Sequence, residues 1–211
     1  ALLIEIKLAT PLMALIAFFI ATAILIKSWQ KVQFKSAWRL ILSSLIGIAI
    51  GLWYLHDLNE NIIKLVLGII LLFFATFRLI NPKVQHLKTE KYSWAFGFIA
   101  GILGGAYNTN GPPIVIYSSL KNWNPENFRA TLQAYFFTTG IFVISGHAIA
   151  GNFTSEVLIY FAYSIPVVII AIAIGSILNK KIQGNRFNKY IYYLLLILAM
   201  MLIFNSVKTI I

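Results

Sequence analysis

Long apolar stretches follow one another along this chain, separated by short polar interruptions. Within each stretch the apolar residues run on continuously, where a strand of a membrane barrel would alternate them with polar ones. Several stretches reach the roughly 17–25 residues that a bilayer-spanning helix needs. The pattern predicts six full spans, over 8–26, 38–55, 62–80, 129–150, 156–177 and 189–206. A polar linker, NPKVQHLKTEKY at 81–92, divides the chain into a first part, 1–80, and a second part, 93–211.

One stretch departs from the pattern. Residues 93–120 are apolar overall but contain GILGGAYNTNGPPIVIYSSL from Gly101 to Leu120. As helices at 1.5 Å per residue, Trp94–Tyr107 and Pro112–Leu120 are about 20 Å and about 13 Å long. Neither alone crosses a hydrocarbon core of roughly 30 Å. Loop charge decides between one crossing and a return. If the segment returns, one side of the membrane collects Lys27, Lys31, Lys35, Arg39, Arg78, Lys83, Lys88, Lys91, Lys121, Arg129, Lys180, Lys181, Arg186 and Lys189, fourteen in all. Three remain opposite: Lys7, Lys64 and Lys208. A single crossing gives nine against eight. The positive-inside rule selects the return. Segment 93–120 therefore reads as a re-entrant hairpin opening from the cytoplasm, with loops 27–39, 78–92, 121–129 and 178–189 on that side.

The two sets of three spans then have opposite topology, and a likeness between them is an inverted repeat. LAT at 8–10 aligns with RAT at 129–131, and GIAIG at 47–51 with AIAIG at 171–175, in the same order and with nearly equal offsets. The fold class expected is an all-α polytopic membrane protein of two inverted-topology repeats. The hairpin opens the second repeat, and its first-repeat counterpart belongs before Ala1, missing from this chain.

Composition narrows the function. Of 211 residues, 60% are hydrophobic and 11% charged, more apolar than a soluble domain of this length requires. The net charge of +11 lies in short loops where topology explains it, so nucleic acid is not an expected partner. There is no cysteine, which excludes disulfides, thiolate metal sites and thiol catalysis. Glu5, Asp57, Glu60, Glu90, Glu126 and Glu156 all fall at span ends or in loops, so no span carries a central carboxylate for Na⁺ or proton traffic. The sequence shows no nucleotide fold, no metal cluster and no cofactor requirement. Three isolated histidines offer no paired nucleophile and base of the kind an intramembrane enzyme needs.

Candidate chemistry gathers at the break. Irregular backbone at membrane depth survives where protein or a water-filled cavity satisfies it. Asn110 reads as an N-cap, Pro112 suits the first turn of the following helix, and Gly111 permits close backbone approach. A helix starting there points free N–H groups and the positive end of its dipole toward mid-membrane, as an anion site would require. Asn108, Thr109, Asn110, Gly111, Pro112 and Pro113 form the candidate site, flanked by Tyr107 and Tyr117. Thr131 and Gln133 of the next span, with Thr138 and Thr139, are candidate lining or interhelical groups, and Thr10 and Pro11 occupy the corresponding place in the first repeat. Gly97, Gly101 and Gly105 recur every four residues, a stripe suited to close helix packing. His147 is a candidate proton relay or a packing histidine. NFT at 152–154 has the glycosylation pattern but is short and close to the membrane.

GFIAGILGGAYNTNGPPIVIYSSL, followed by FRATLQAYFF at 128–137, resembles the second-half signature of the sulfite exporter TauE/SafE family. The family's glycine/proline signature falls on Gly101, Gly104, Gly105, Gly111, Pro112 and Pro113. The resemblance implies two homologous halves, each opened by a glycine/proline-rich segment, and export of sulfite or organosulfonate anions. The segment that opens the first half in that family has no match here. The expected function is a secondary transporter, an exporter of a small sulfur-containing anion in the inner membrane, working by alternating access. The alternative is an anion channel using the same site as a selectivity constriction. Expected partners are the anion and the lipid bilayer; a homo-oligomer is compatible with the sequence.

Overall fold

Apolar runs of this length form helices because lipid offers no partner for backbone N–H and C=O groups, and an α-helix satisfies them internally. The computed structural model describes residues 6–54, 60–81, 87–107, 110–181 and 184–210, and some helix-end side chains fall outside that description. The order is α1 (Ile6–Ser28), a 3-10 turn (Trp29–Lys31), α2 (Phe34–Tyr54), α3 (Glu60–Ile80), α4 (Tyr92–Tyr107), α5 (Gly111–Leu120), α6 (Pro125–Ile149), α7 (Ser155–Lys181) and α8 (Gly184–Ile210). The six expected spans fall on α1, α2, α3, α6, α7 and α8, and the broken segment falls on α4 and α5. Among the described residues, five helices are long and apolar enough to cross a membrane, at Leu8–Lys31, Phe34–Gly51, Pro125–Ile149, Ser155–Ile177 and Phe187–Val207. The sixth expected span is α3, 21 residues long. The chain is an all-helical, multi-pass membrane protein.

Local chemistry sets the boundaries. Pro125 opens α6 with Glu126 in its first turn, where a missing N–H is harmless and a carboxylate suits the dipole. The same helix ends in a Schellman motif: Asn152 N–H donates to His147 C=O (2.9 Å) and Gly151 N–H to Ala148 C=O (3.1 Å). Gly151 takes the positive φ of 68° that this motif demands. Thr154 then caps α7, its hydroxyl accepting from Val157 N–H at 3.4 Å.

The chain forms two compact units, and each draws on both halves of the sequence. The first contains Ala1–Ala37 and Glu126–Ile182. In it α1 packs on α7, Phe18 stacks on Phe137 at 5.1 Å, and Phe19 meets Phe161 edge-on at 6.3 Å. The second contains Trp38–Pro125 and Gln183–Ile211. There α3 packs on α8 and α4 on α5. The α3–α8 pair runs antiparallel, since Arg78 meets Tyr192 while Gly68 faces Ala199 and Ile203.

Within the second unit α2 and α4 run parallel and in register. A Cβ placed on Gly97, Gly101 or Gly105 would come to 2.8 Å from Leu40 Cα, 2.7 Å from Ser44 Cα and 3.0 Å from Ile48 Cα respectively. These contacts advance together, four residues at a time on both helices. Backbone meets backbone along the whole stripe, which a side chain of any size prevents. Trp38 and Trp94 meet edge-on at 5.5 Å at the start of both helices.

Candidate functional site at the hairpin break

Two helices joined by a three-residue break form a hairpin when their outer ends return to one place. They do so here: Leu87 N–H, ahead of α4, donates to the carbonyl of Leu120 at the end of α5 (2.9 Å). At the other end the break approaches α4 itself. A Cβ on Gly104 would lie 2.9 Å from Asn110 Cβ and 3.4 Å from its Nδ2. Gly104 therefore lacks a side chain where Asn110 needs the room. It lies about 18 Å along α4 from Tyr92.

Asn110 occupies the N-cap position of α5 but makes no side-chain cap bond, and its φ of −83° and ψ of −14° are helical. The sequence explains this difference from the expected cap. A cap side chain accepts from the N–H of the second or third helical residue, and those residues are Pro112 and Pro113, which have none. The first amide able to join the helical ladder is that of Ile114. The expected array of free N–H groups at the helix head thus shrinks to the amides of Asn110 and Gly111. Two consequences follow. The prolines remove two backbone donors from the helix head, and the carboxamide of Asn110 is released from capping. Asn108, Thr109 and the side chain of Tyr107 lie outside the described residues.

Tyr117 faces the other way. It is fully buried, and its hydroxyl donates to the Glu90 carboxylate (3.0 Å), at the mouth of the hairpin. Its ring lies 5.6 Å from Phe96 and 5.8 Å, edge-on, from Trp123. Along the axis it is about 9 Å from Gly111. Lys121 also donates to Glu90, at 2.7 Å, and the Glu90 carbonyl accepts from Ser93 N–H (3.0 Å) and the Ser93 hydroxyl. Sequence reading placed Glu90 among loop carboxylates and missed this cluster, whose members are separated by a whole hairpin.

The remaining candidates belong to the first unit. Thr131 is fully buried, and its hydroxyl accepts from the backbone N–H of Gln33 (2.9 Å), fixing the α1–α2 connection on α6. Gln133 and Thr10 are half-buried on α6 and α1, and Pro11 is buried. Thr138 and Thr139 donate to carbonyls one turn back, of Ala134 and Tyr135 (2.9 Å each). His147 sits in the last turn of α6, its Nδ1 paired with Asn152 Nδ2 at 3.0 Å and its ring 6.1 Å from Phe153, within the cap that ends the helix.

A multi-pass helical protein with a glycine-lined broken hairpin is the class that fold and site define. Residues 1–202 match the family described as Sulfite exporter TauE/SafE, and the chain belongs to that family. A relative from Cupriavidus necator, named "Probable sulfite/organosulfonate exporter TauE", is 24% identical over 146 residues. That match takes in 65% of this chain and 57% of the relative's length. No solved structure matches.

Proposed function

We propose that this chain is a secondary transporter that exports a small sulfur-containing anion, sulfite or an organosulfonate, across the cell membrane. Family membership and the relative named as an exporter support the substrate class. The observation that carries the site is the released Asn110 carboxamide, at the head of α5 and against Gly104. With Gly111 N–H and the positive end of the helix dipole it presents neutral donors to one oxyanion. Asn108 and Thr109 add donors from the break, and Pro112 and Pro113 hold it open.

In this reading α4 and α5 are a re-entrant hairpin, and the loops 27–39, 78–92, 121–129 and 178–189 are cytoplasmic. The parallel course of α2 and α4 supports it, because their starts then share a side, and the Leu87–Leu120 bond returns α5 to that side. The α3–α8 pair joins two helices that the repeat maps onto each other, as a pair on the pseudo-two-fold axis would be. Alternating access comes from one repeat moving against the other.

Sulfite binding to reconstituted protein tests the site. Asn110→Ala and Gly111→Leu should each lower affinity at least tenfold, and unchanged affinity in both removes the break as the binding site. Counterflow tests the mechanism, since a carrier shows trans-stimulation and a channel does not.

A further inference from the structure

We infer that Glu90 is a positioning residue, a clamp that holds α4 and α5 as one rigid piece and thereby fixes the Asn110–Gly111 break. The inference rests on the proposed function for what the break does, and on the hairpin's own geometry for the clamp. Glu90 precedes α4, and its backbone carbonyl receives Ser93, so the residue is anchored to that helix start. Its carboxylate reaches across to the other leg on both oxygens: Oε2 accepts from Tyr117 at 3.0 Å, and Oε1 from Lys121 at 2.7 Å.

Three features make this tie strong. Both bonds are charge-assisted, a class roughly twice as strong as neutral hydrogen bonds. The ion pair is shielded, with the Lys121 side chain only 9% exposed and that of Glu90 29% exposed. Tyr117 is fixed by the rings of Phe96 and Trp123, so its hydroxyl stands where Glu90 finds it with little rotamer entropy left to lose. α5 is ten residues long and has prolines at its head, so it holds few backbone bonds of its own. A short helix of that kind is marginal unless tertiary contacts hold it. Movement at the mouth is carried to the break because α5 spans the distance between them.

Hydrogen exchange on the full chain in liposomes, without anion, tests the clamp. Glu90→Ala should speed exchange across 95–120 at least tenfold while α3 and α8 exchange as before. Tyr117→Phe and Lys121→Met, each deleting one tie, should give the same localised pattern to a smaller degree. Unchanged exchange in all three, or a uniform rise over every helix, overturns the clamp. A second arm uses Leu87→Cys with Leu120→Cys in the Glu90→Ala background, joined by a short bifunctional maleimide in a chain that has no other cysteine. Cross-linking should return sulfite affinity to within threefold of the parent. Failure of the cross-linked protein to recover overturns positioning as the role of Glu90. If the parent itself does not bind sulfite, the transport reading fails, and the exchange arm still decides the clamp.

Discussion

Asn110 rests against Gly104, so closely that a methyl group on the glycine would stand 2.9 Å from Asn110 Cβ. The displaced atom would be the root of a side chain, which cannot swing aside as a flexible tip does. Gly104→Ala should therefore push Asn110 and the head of α5 away from α4. Sulfite affinity is expected to fall at least tenfold. Overpacking of this kind costs about 1–3 kcal/mol in stability. Binding and thermal unfolding measured on the same preparation check both effects, and full affinity in the variant would detach Gly104 from the site.

The glycines of this chain divide into two kinds, and substitution should separate them. A Cβ added to Gly101 would stand 2.7 Å from Ser44 Cα, whereas one added to Gly175 would meet nothing within 4 Å. Gly101→Ala is expected to destabilise by about 1–3 kcal/mol, because backbone on α2 must retreat. Gly175→Ala is expected to stabilise by roughly 0.5–1 kcal/mol through helix propensity alone. Unfolding midpoints in detergent give the comparison. Equal effects at the two positions would mean that the α2–α4 stripe is not closely packed.

The span pattern was legible because continuous apolar runs report helices directly, and the fourfold glycine spacing reported a packed face before any partner was known. The weakness of the cap at Asn110 was also in the sequence. It follows from Pro112 and Pro113 once α5 is known to begin at Gly111, one residue earlier than the sequence reading placed its first turn. The Glu90–Tyr117–Lys121 cluster was not legible. Its members lie 27 and 31 residues apart, and no periodicity links a loop carboxylate to the far leg of a hairpin. The partner of the Thr131 hydroxyl, the Gln33 amide 98 residues away, was not legible either.

Ser118 carries a hydroxyl unlike its neighbours. Thr22, Ser28, Ser43, Thr138 and Thr139 each donate to the carbonyl four residues back, and Ser119 and Ser164 to the carbonyl three back. Ser118 is fully buried on α5, and among the described residues its oxygen has no partner. An unmet buried hydroxyl costs about 1–3 kcal/mol. Ser118→Ala should therefore raise the unfolding free energy by about 1 kcal/mol, and Ser119→Ala should not. A loss of stability in Ser118→Ala would show that the hydroxyl has a partner after all.

Arg78 is buried near the end of α3, and its Nε donates to the Tyr192 hydroxyl of α8 at 3.0 Å. Its guanidinium carbon also lies 5.5 Å from the Tyr192 ring centre. Tyr192→Phe keeps the ring and removes one acceptor from a buried cation. The expected loss is about 1–3 kcal/mol, read as a lower unfolding midpoint. Transport by the folded fraction should stay unchanged, since the pair lies outside the proposed site. Reduced flux per folded molecule would instead draw Arg78 into the transport path.

Both ends of the hairpin should be reached from one face of the membrane. Lys88→Cys and Asn124→Cys place single thiols on either side of it, in a chain with no cysteine of its own. The Leu87–Leu120 backbone bond brings the two flanks together, and α4 starts beside the start of α2. A membrane-impermeant maleimide should label both positions in inverted vesicles and neither in intact cells. Labelling from opposite faces would make 93–120 a crossing segment. It would also reverse the orientation of α6, α7 and α8, turn the two halves into parallel repeats, and leave the charged loops divided nine to eight across the bilayer. The positive-inside rule disfavours so even a split, which is why this single experiment weighs more than any substitution at the break.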